Sequence, residues 1–61
     1  MWIFTKKYGS YNLDNYDHVA VILGNTCLIK EGKPSRPVSN DDVQEIIRDA
    51  IRRGDNYVEV E

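Results

Sequence analysis

The chain has 61 residues, so we expect one domain that spans residues 1–61. Its eight basic and ten acidic side chains leave a formal charge of -2, which argues against a protein that grips nucleic acid through its overall field. Hydrophobic residues make up 41% of the chain and charged residues 30%, which is the balance of a soluble globular domain.

The apolar runs and the single cysteine bear on where the protein is located. The longest apolar run, Val19–Leu23, is far shorter than the roughly 20 residues that cross a bilayer. The first residues lack the basic and apolar pattern of a secretory signal. Cys27 has no partner for an internal disulfide, and Cys27 with His18 gives too few ligands for a zinc site. We therefore expect a cytoplasmic protein with no cofactor, no metal and no membrane contact.

The first part of the chain predicts a β-hairpin followed by a turn. Residues Trp2–Thr5 are aromatic and β-branched, which favours a strand. Gly9 can take a positive φ and closes the turn Lys6–Gly9, after which Ser10–Leu13 form a short returning strand. The cluster Asp14–Asp17 is rich in side chains that hydrogen-bond their own backbone, so a second turn is expected there.

The middle of the chain predicts a second hairpin. The segments His18–Leu23 and Thr26–Lys30 are rich in β-branched residues. Gly24-Asn25 between them has the glycine-first order of a two-residue type II′ turn. The connector Glu31–Pro37 that follows contains two prolines, so we expect it to be neither strand nor helix.

The last third of the chain predicts one helix and a final strand. Ser39 has the chemistry of an N-cap, and the apolar residues from Val43 to Ile51 repeat with the helical period. Gly54 is the expected left-handed stop. The segment Asn56–Val60 alternates as a strand with its two valines inward. Its place in the sheet, at an edge or beside the first strand, is left open.

The predicted order is β-β-β-β-α-β, which indicates the α+β class. We expect a small antiparallel sheet of two hairpins and a C-terminal strand, with one helix packed across one face. With Leu23 paired to Thr26, strand alternation sorts the second hairpin into two apolar faces. One face holds Ala20, Ile22, Cys27 and Ile29, and the other holds Val19, Val21, Leu23 and Leu28. The helix is expected on the first face, over a buried Cys27.

The second apolar face needs a cover that a single helix cannot supply. Aromatic side chains of the same chain could fold over it, or a second copy or another protein could bind there. We expect a homodimer or a complex with an unidentified protein, since a flat apolar patch is self-complementary. The expected interface consists of Val19, Val21, Leu23 and Leu28, with Trp2, Tyr8, Tyr11 and Tyr16 as rim anchors.

Nucleic-acid or nucleotide binding is the alternative function. Tyrosines on a small sheet can stack bases, and the basic groups that could meet phosphates are Lys6, Lys7, Arg48, Arg52 and Arg53. The helix dipole explains the arginines equally well. Catalysis is not expected, because Asp17 and His18 could form an acid–base couple but have no nucleophile or oxyanion hole near them in the sequence.

The opening segment also carries a resemblance. A strand that ends in Thr5 is followed by a turn at Gly9 and by Asn12-Leu13-Asp14. Over about the first third of the chain, this pattern resembles short uncharacterised small-sheet proteins of Gram-positive bacteria and their phages. The resemblance implies a bacterial or phage protein with a sheet-plus-helix fold, of the kind that could modulate a host protein. It assigns no catalytic residue.

Overall fold

The computed structural model describes residues 1–60, which form two three-stranded sheets and a helix. The strands are β1 (Trp2–Thr5), β2 (Ser10–Asn12), β3 (His18–Ile22), β4 (Asn25–Ile29), β5 (Arg36–Ser39) and β6 (Tyr57–Val60). The helix α1 covers Gln44–Arg53, and a single turn of 3₁₀ helix covers Leu13–Asn15 after β2. The α+β class is confirmed. β5 is an additional strand, and the strands form two sheets where one antiparallel sheet was predicted.

The first sheet has β1 at its centre, in the order β2-β1-β6. β1 pairs antiparallel with β2, as the first predicted hairpin requires, and parallel with β6. The sequence left the place of the last strand open. Parallel strands need a long crossover connection, and α1 lies within it. The inward direction of Val58 and Val60 is confirmed, and both are buried beside Ile3.

The second sheet has the order β3-β4-β5. The prediction that Glu31–Pro37 contains no strand is wrong at its end, because Arg36 and Pro37 belong to β5. β5 pairs antiparallel with β4 at the edge of the sheet, which is where a strand tolerates a proline. The register shifts opposite Thr26 and Cys27, as at a β-bulge.

The turn of the second hairpin lies one residue earlier than predicted. Leu23 and Gly24, rather than Gly24 and Asn25, occupy its two central positions, so Thr26 pairs with Val21. Both central residues have positive φ, 52° and 81°, which is the pattern of a type I′ turn. The pairing moves by two residues, so the membership of the two hairpin faces is unchanged.

The start of α1 also differs from the prediction. The N-cap position belongs to Val43, and Ser39 instead ends β5, where its Oγ accepts a hydrogen bond from the N–H of Asp41. A side chain of β4 instead holds the segment that leads into α1. Thr26 Oγ1 accepts from the Val43 N–H at 2.9 Å and donates to the Asp41 carbonyl at 2.7 Å. The predicted stop at Gly54 is confirmed, with a left-handed backbone there.

The core lies between the two sheets and the helix. It contains Ile3, Val58 and Val60 from the first sheet, Leu28 and Val38 from the second, and Val43, Ile47 and Ala50 from the helical segment. The predicted packing of α1 on the face of Ala20, Ile22, Cys27 and Ile29 is therefore wrong. Thr26 and Leu28 lie on one face of β4, and the hydrogen bond that the Val43 N–H donates to Thr26 brings the helix to that face.

Thr26→Val should lower the free energy of unfolding by about 2–4 kcal/mol, because it leaves the buried Val43 amide without an acceptor. Thr5→Val is the matched control. Thr5 Oγ1 also makes two such bonds, with the Tyr8 N–H and the Gly9 carbonyl, in a turn that is partly open to water. There we expect about 1 kcal/mol. Urea denaturation measures both, and equal losses would show that burial of the Thr26 bonds is unimportant.

Leu23→Asn should raise the free energy of unfolding by about 1 kcal/mol, because asparagine tolerates positive φ better than leucine does. Leu23 is 96% exposed, so little packing is lost. Leu23→Ala keeps a residue that disfavours this φ, and we expect a smaller change from it. Thermal and urea melts compare the three proteins. A less stable asparagine variant would rule out backbone strain as the main effect at this position.

Candidate interaction surface

Three aromatic rings lie together on the solvent side of the first sheet. Successive side chains of a strand point to opposite faces, and Ile3 and Val58 point into the core. Trp2, Phe4 and Tyr57 therefore point outward, and they are 46%, 39% and 55% exposed. We call these three residues the aromatic face.

The rings of the aromatic face form a continuous row. The centroids of Trp2 and Phe4 are 6.5 Å apart with their planes 9° from parallel. Those of Phe4 and Tyr57 are 5.7 Å apart, with the planes tilted by 55°. The parallel register of β1 and β6 also sets Tyr57 opposite Trp2. Aromatic rings attract one another at these distances, so a partner would meet a surface that is already assembled.

Polar side chains border the aromatic face. In the register of the sheet, Asn12 stands beside Trp2, and Ser10 stands beside Phe4 on the same strand, β2. On the other side, Glu59 of β6 stands opposite Phe4 and is exposed. An apolar centre inside a polar rim is the usual anatomy of a surface that binds another protein.

The four hairpin residues of the predicted interface do not form one exposed surface in the structure. Leu28 is fully buried and Val19 packs against the core, so the prediction is wrong at Leu28. The reason is that α1 covers this face of the sheet rather than the other one. Val21 and Leu23 keep an exposed position close to the hairpin turn.

The three predicted tyrosine anchors take part in contacts within the fold. The Tyr8 hydroxyl donates to Asn40 Oδ1 at 2.6 Å, which ties the β1–β2 turn to the loop before α1. The rings of Tyr11 and Tyr16 meet edge to face at 6.3 Å and pack against the core. Of the four predicted anchors, Trp2 is the one that belongs to the aromatic face.

Phe4 and Tyr57 are absent from the predicted interface, although strand alternation gives a signal for both. Phe4 stands two residues after Trp2 in β1, so both side chains must share a face. Tyr57 alternates with the inward Val58 in the same way. The parallel pairing that joins the two strands has no local signal, and without it the three rings cannot be recognised as one cluster.

The arginines of the nucleic-acid alternative each have a carboxylate partner. The pairs are Arg48 with Glu45 at 3.1 Å, Arg52 with Asp49 at 3.1 Å and Arg53 with Asp55 at 2.9 Å. Lys7 Nζ lies over the Tyr8 ring, 5.5 Å from its centroid. Lys6 borders a depression of about 320 Å³ together with Phe4 and Glu59. Because acids lie beside the arginines, the end of α1 offers phosphates little net positive charge.

Asp17 and His18, the possible acid–base couple that is not expected to be catalytic, line an open groove of about 260 Å³ next to α1. Asp17 Oδ2 accepts from the Glu31 N–H at 2.9 Å, and the Asp17 N–H donates to the Ile29 carbonyl at 2.8 Å. The carboxylate beside His18 thus holds the base of the second hairpin.

Within residues 1–60 there is no group of three or more His, Cys, Asp or Glu side chains arranged to hold a metal. The same residues contain no helix that is long and apolar enough to cross a membrane.

Comparisons with known proteins add no assignment to this surface. The chain matches no protein-family model, no curated protein and no solved structure. The resemblance of its opening segment to short bacterial and phage proteins therefore stays a prediction.

Proposed function

We propose that this protein is a small interaction module that binds another protein through the aromatic face. The observation that carries the proposal is the exposed row of Trp2, Phe4 and Tyr57, on a sheet whose other side is already packed in the core. Tryptophan and tyrosine dominate the binding energy of many interfaces, because they bury a large area at a low cost in side-chain entropy. A partner that covers the row would remove this apolar surface from water.

The shape and charge of the surface favour an apolar polypeptide segment over nucleic acid. The row spans two strands, so it offers an extended apolar surface to a strand or helix that presents apolar side chains on one side. Glu59 and Lys6 carry opposite charges beside Phe4, so this part of the surface offers a phosphate no net positive charge. The arginines of α1 have carboxylate partners and supply little further attraction for a phosphate.

The proposal includes a cytoplasmic location and a bacterial or phage source. Cys27 is a free, buried cysteine, which suits a reducing compartment. The source rests on the resemblance of the opening segment alone. In that setting the bound partner is a protein of the host cell.

Selection from a random peptide library displayed on phage tests the proposal. Peptides selected on the wild-type protein should carry aromatic or aliphatic residues. They should bind the double variant Trp2→Ser/Tyr57→Ser about tenfold or more weakly, because two anchor side chains are lost. Ile51→Ser is the matched control, since it removes a similarly exposed apolar side chain, 53% exposed, from α1. Its affinity should equal that of the wild type.

Trp2 is the only tryptophan of the chain, so its fluorescence reports directly on the aromatic face. Peptide binding should shift the emission to shorter wavelengths as water leaves the ring, and single-stranded DNA should leave the spectrum unchanged. Equal affinity of peptides for all three proteins, or no enrichment of peptides, would contradict the proposal. Quenching by single-stranded DNA would favour the nucleic-acid alternative, because bases stack on exposed rings.

A further inference from the structure

The outer edge of β6 is open. β6 ends the first sheet, and no other strand of residues 1–60 lies beyond it. The Trp2 N–H donates to the Asn56 carbonyl at 2.9 Å, which sets the phase of the hydrogen bonds to β1. Backbone groups alternate in direction along a strand, so the N–H and carbonyl groups of Val58 also point towards β1. The N–H and carbonyl groups of Tyr57 and Glu59 therefore point to the open edge.

The other sheet edges carry features that discourage pairing with a further strand. β5 contains Pro37 and a register shift, and β2 has only three residues before the 3₁₀ turn. On β3, the carbonyl of Val19 accepts a hydrogen bond from Gln44 Nε2 at 3.2 Å. Prolines, bulges, short strands and covered carbonyls are the usual means of protecting an edge. β6 has neither proline nor lysine and is rich in β-formers.

We propose that two copies of this chain pair through the edges of β6, antiparallel and about a two-fold axis. The second copy is the occupant that supplies an identical free edge, and a two-fold axis sets two such edges side by side with every donor opposite an acceptor. The product is one six-stranded sheet. The pairing does not depend on the peptide binding proposed above, since the open edge and the aromatic face are separate features of β6.

Charge and strand length select one register for this pairing. In an antiparallel pair, the residues whose backbone groups point to the shared edge must lie opposite each other. This allows three pairings of Tyr57 and Glu59 with the same residues of the second copy. Glu59 opposite its own copy sets two carboxylates together, which is repulsive. A register with Tyr57 opposite its own copy sets the end of β6 opposite the turn at Gly54 of the second copy, so fewer strand residues are paired. Tyr57 opposite Glu59 of the second copy overlaps most of the strand, centres the axis on Val58 and sets each hydroxyl beside a carboxylate.

The pairing would also double the binding surface. The outward side chains of both β6 strands lie on the same side of the joined sheet, because the two-fold axis runs perpendicular to it. The two aromatic faces then form one continuous surface, with the Tyr57 rings near its centre. A partner with two apolar segments could engage both faces at once, which raises its effective affinity.

Nuclear Overhauser effects in a mixture of labelled and unlabelled protein test the register without any substitution. In the proposed dimer, Asn56 and Val60 of the two copies form a non-hydrogen-bonded pair, whose α-protons are in close contact. Within one chain the two residues stand about 13 Å apart along β6. An Asn56–Val60 effect between copies is the expected result. Its absence in a sample that sedimentation shows to be dimeric would overturn the proposal.

Two variants at one position test the use of the edge. Glu59→Pro removes the N–H that points to the open edge and leaves the backbone hydrogen bonds between β6 and β1. Glu59→Ala removes the carboxylate alone. Analytical ultracentrifugation should show dimerisation weakened at least tenfold by proline and only a few fold by alanine, with an unchanged helical circular dichroism signal. A monomeric wild type at millimolar concentration, or equal dimerisation of both variants, would overturn the proposal. Peptide binding by monomeric Glu59→Pro would leave the proposed function intact.

Discussion

The Thr26 hydroxyl is the contact on which the arrangement of the two sheets depends. It accepts from the Val43 N–H and donates to the Asp41 carbonyl, so it joins β4 to the segment that enters α1. A fully buried hydroxyl is stable only when its hydrogen bonds are made, and here one side chain makes both. The contact fixes the face of the second sheet that the helix covers, and with it the burial of Leu28 and Val38 against the first sheet.

The parts of the fold with a local signal could be predicted from the sequence. The first hairpin, the helical stripe, the stop at Gly54 and the inward valines of β6 all follow from alternation, period or backbone freedom. The start of α1 could not, because Ser39 belongs to β5 and the N-cap residue, Val43, is held by a hydrogen bond from its N–H to Thr26 of β4.

The position of the second turn has a similar explanation. A two-residue turn can hold Gly24 in its first or second position, and the loop length is the same. Leucine in a left-handed conformation costs about 1–2 kcal/mol, so local chemistry disfavours the turn that is observed. Contacts made elsewhere in the fold must offset that strain, and they leave no trace in the residues of the loop.

The candidate site was predictable only in part. Trp2 could be named from its residue type, while the tyrosines near it make contacts within the fold: the Tyr8 hydroxyl donates to Asn40, and Tyr11 packs on Tyr16. The aromatic face depends on a parallel pairing between β1 and β6, which lie far apart in the chain. Residue type alone cannot separate an aromatic ring that faces solvent from one that fills the core, because both occur in the same strands.

The parallel pairing of β1 with β6 also constrains the order of folding. During synthesis β1 can meet β2 at once, but its other edge stays unsatisfied until α1 and β6 have left the ribosome. A two-stranded hairpin is marginal in water by itself, so the sheet and the core that rests on it must form in a late, concerted step dominated by non-local contacts. Until then Ile3 lacks the residues of α1 and β6 that bury it in the finished core, and the nascent chain exposes it together with its aromatic neighbours.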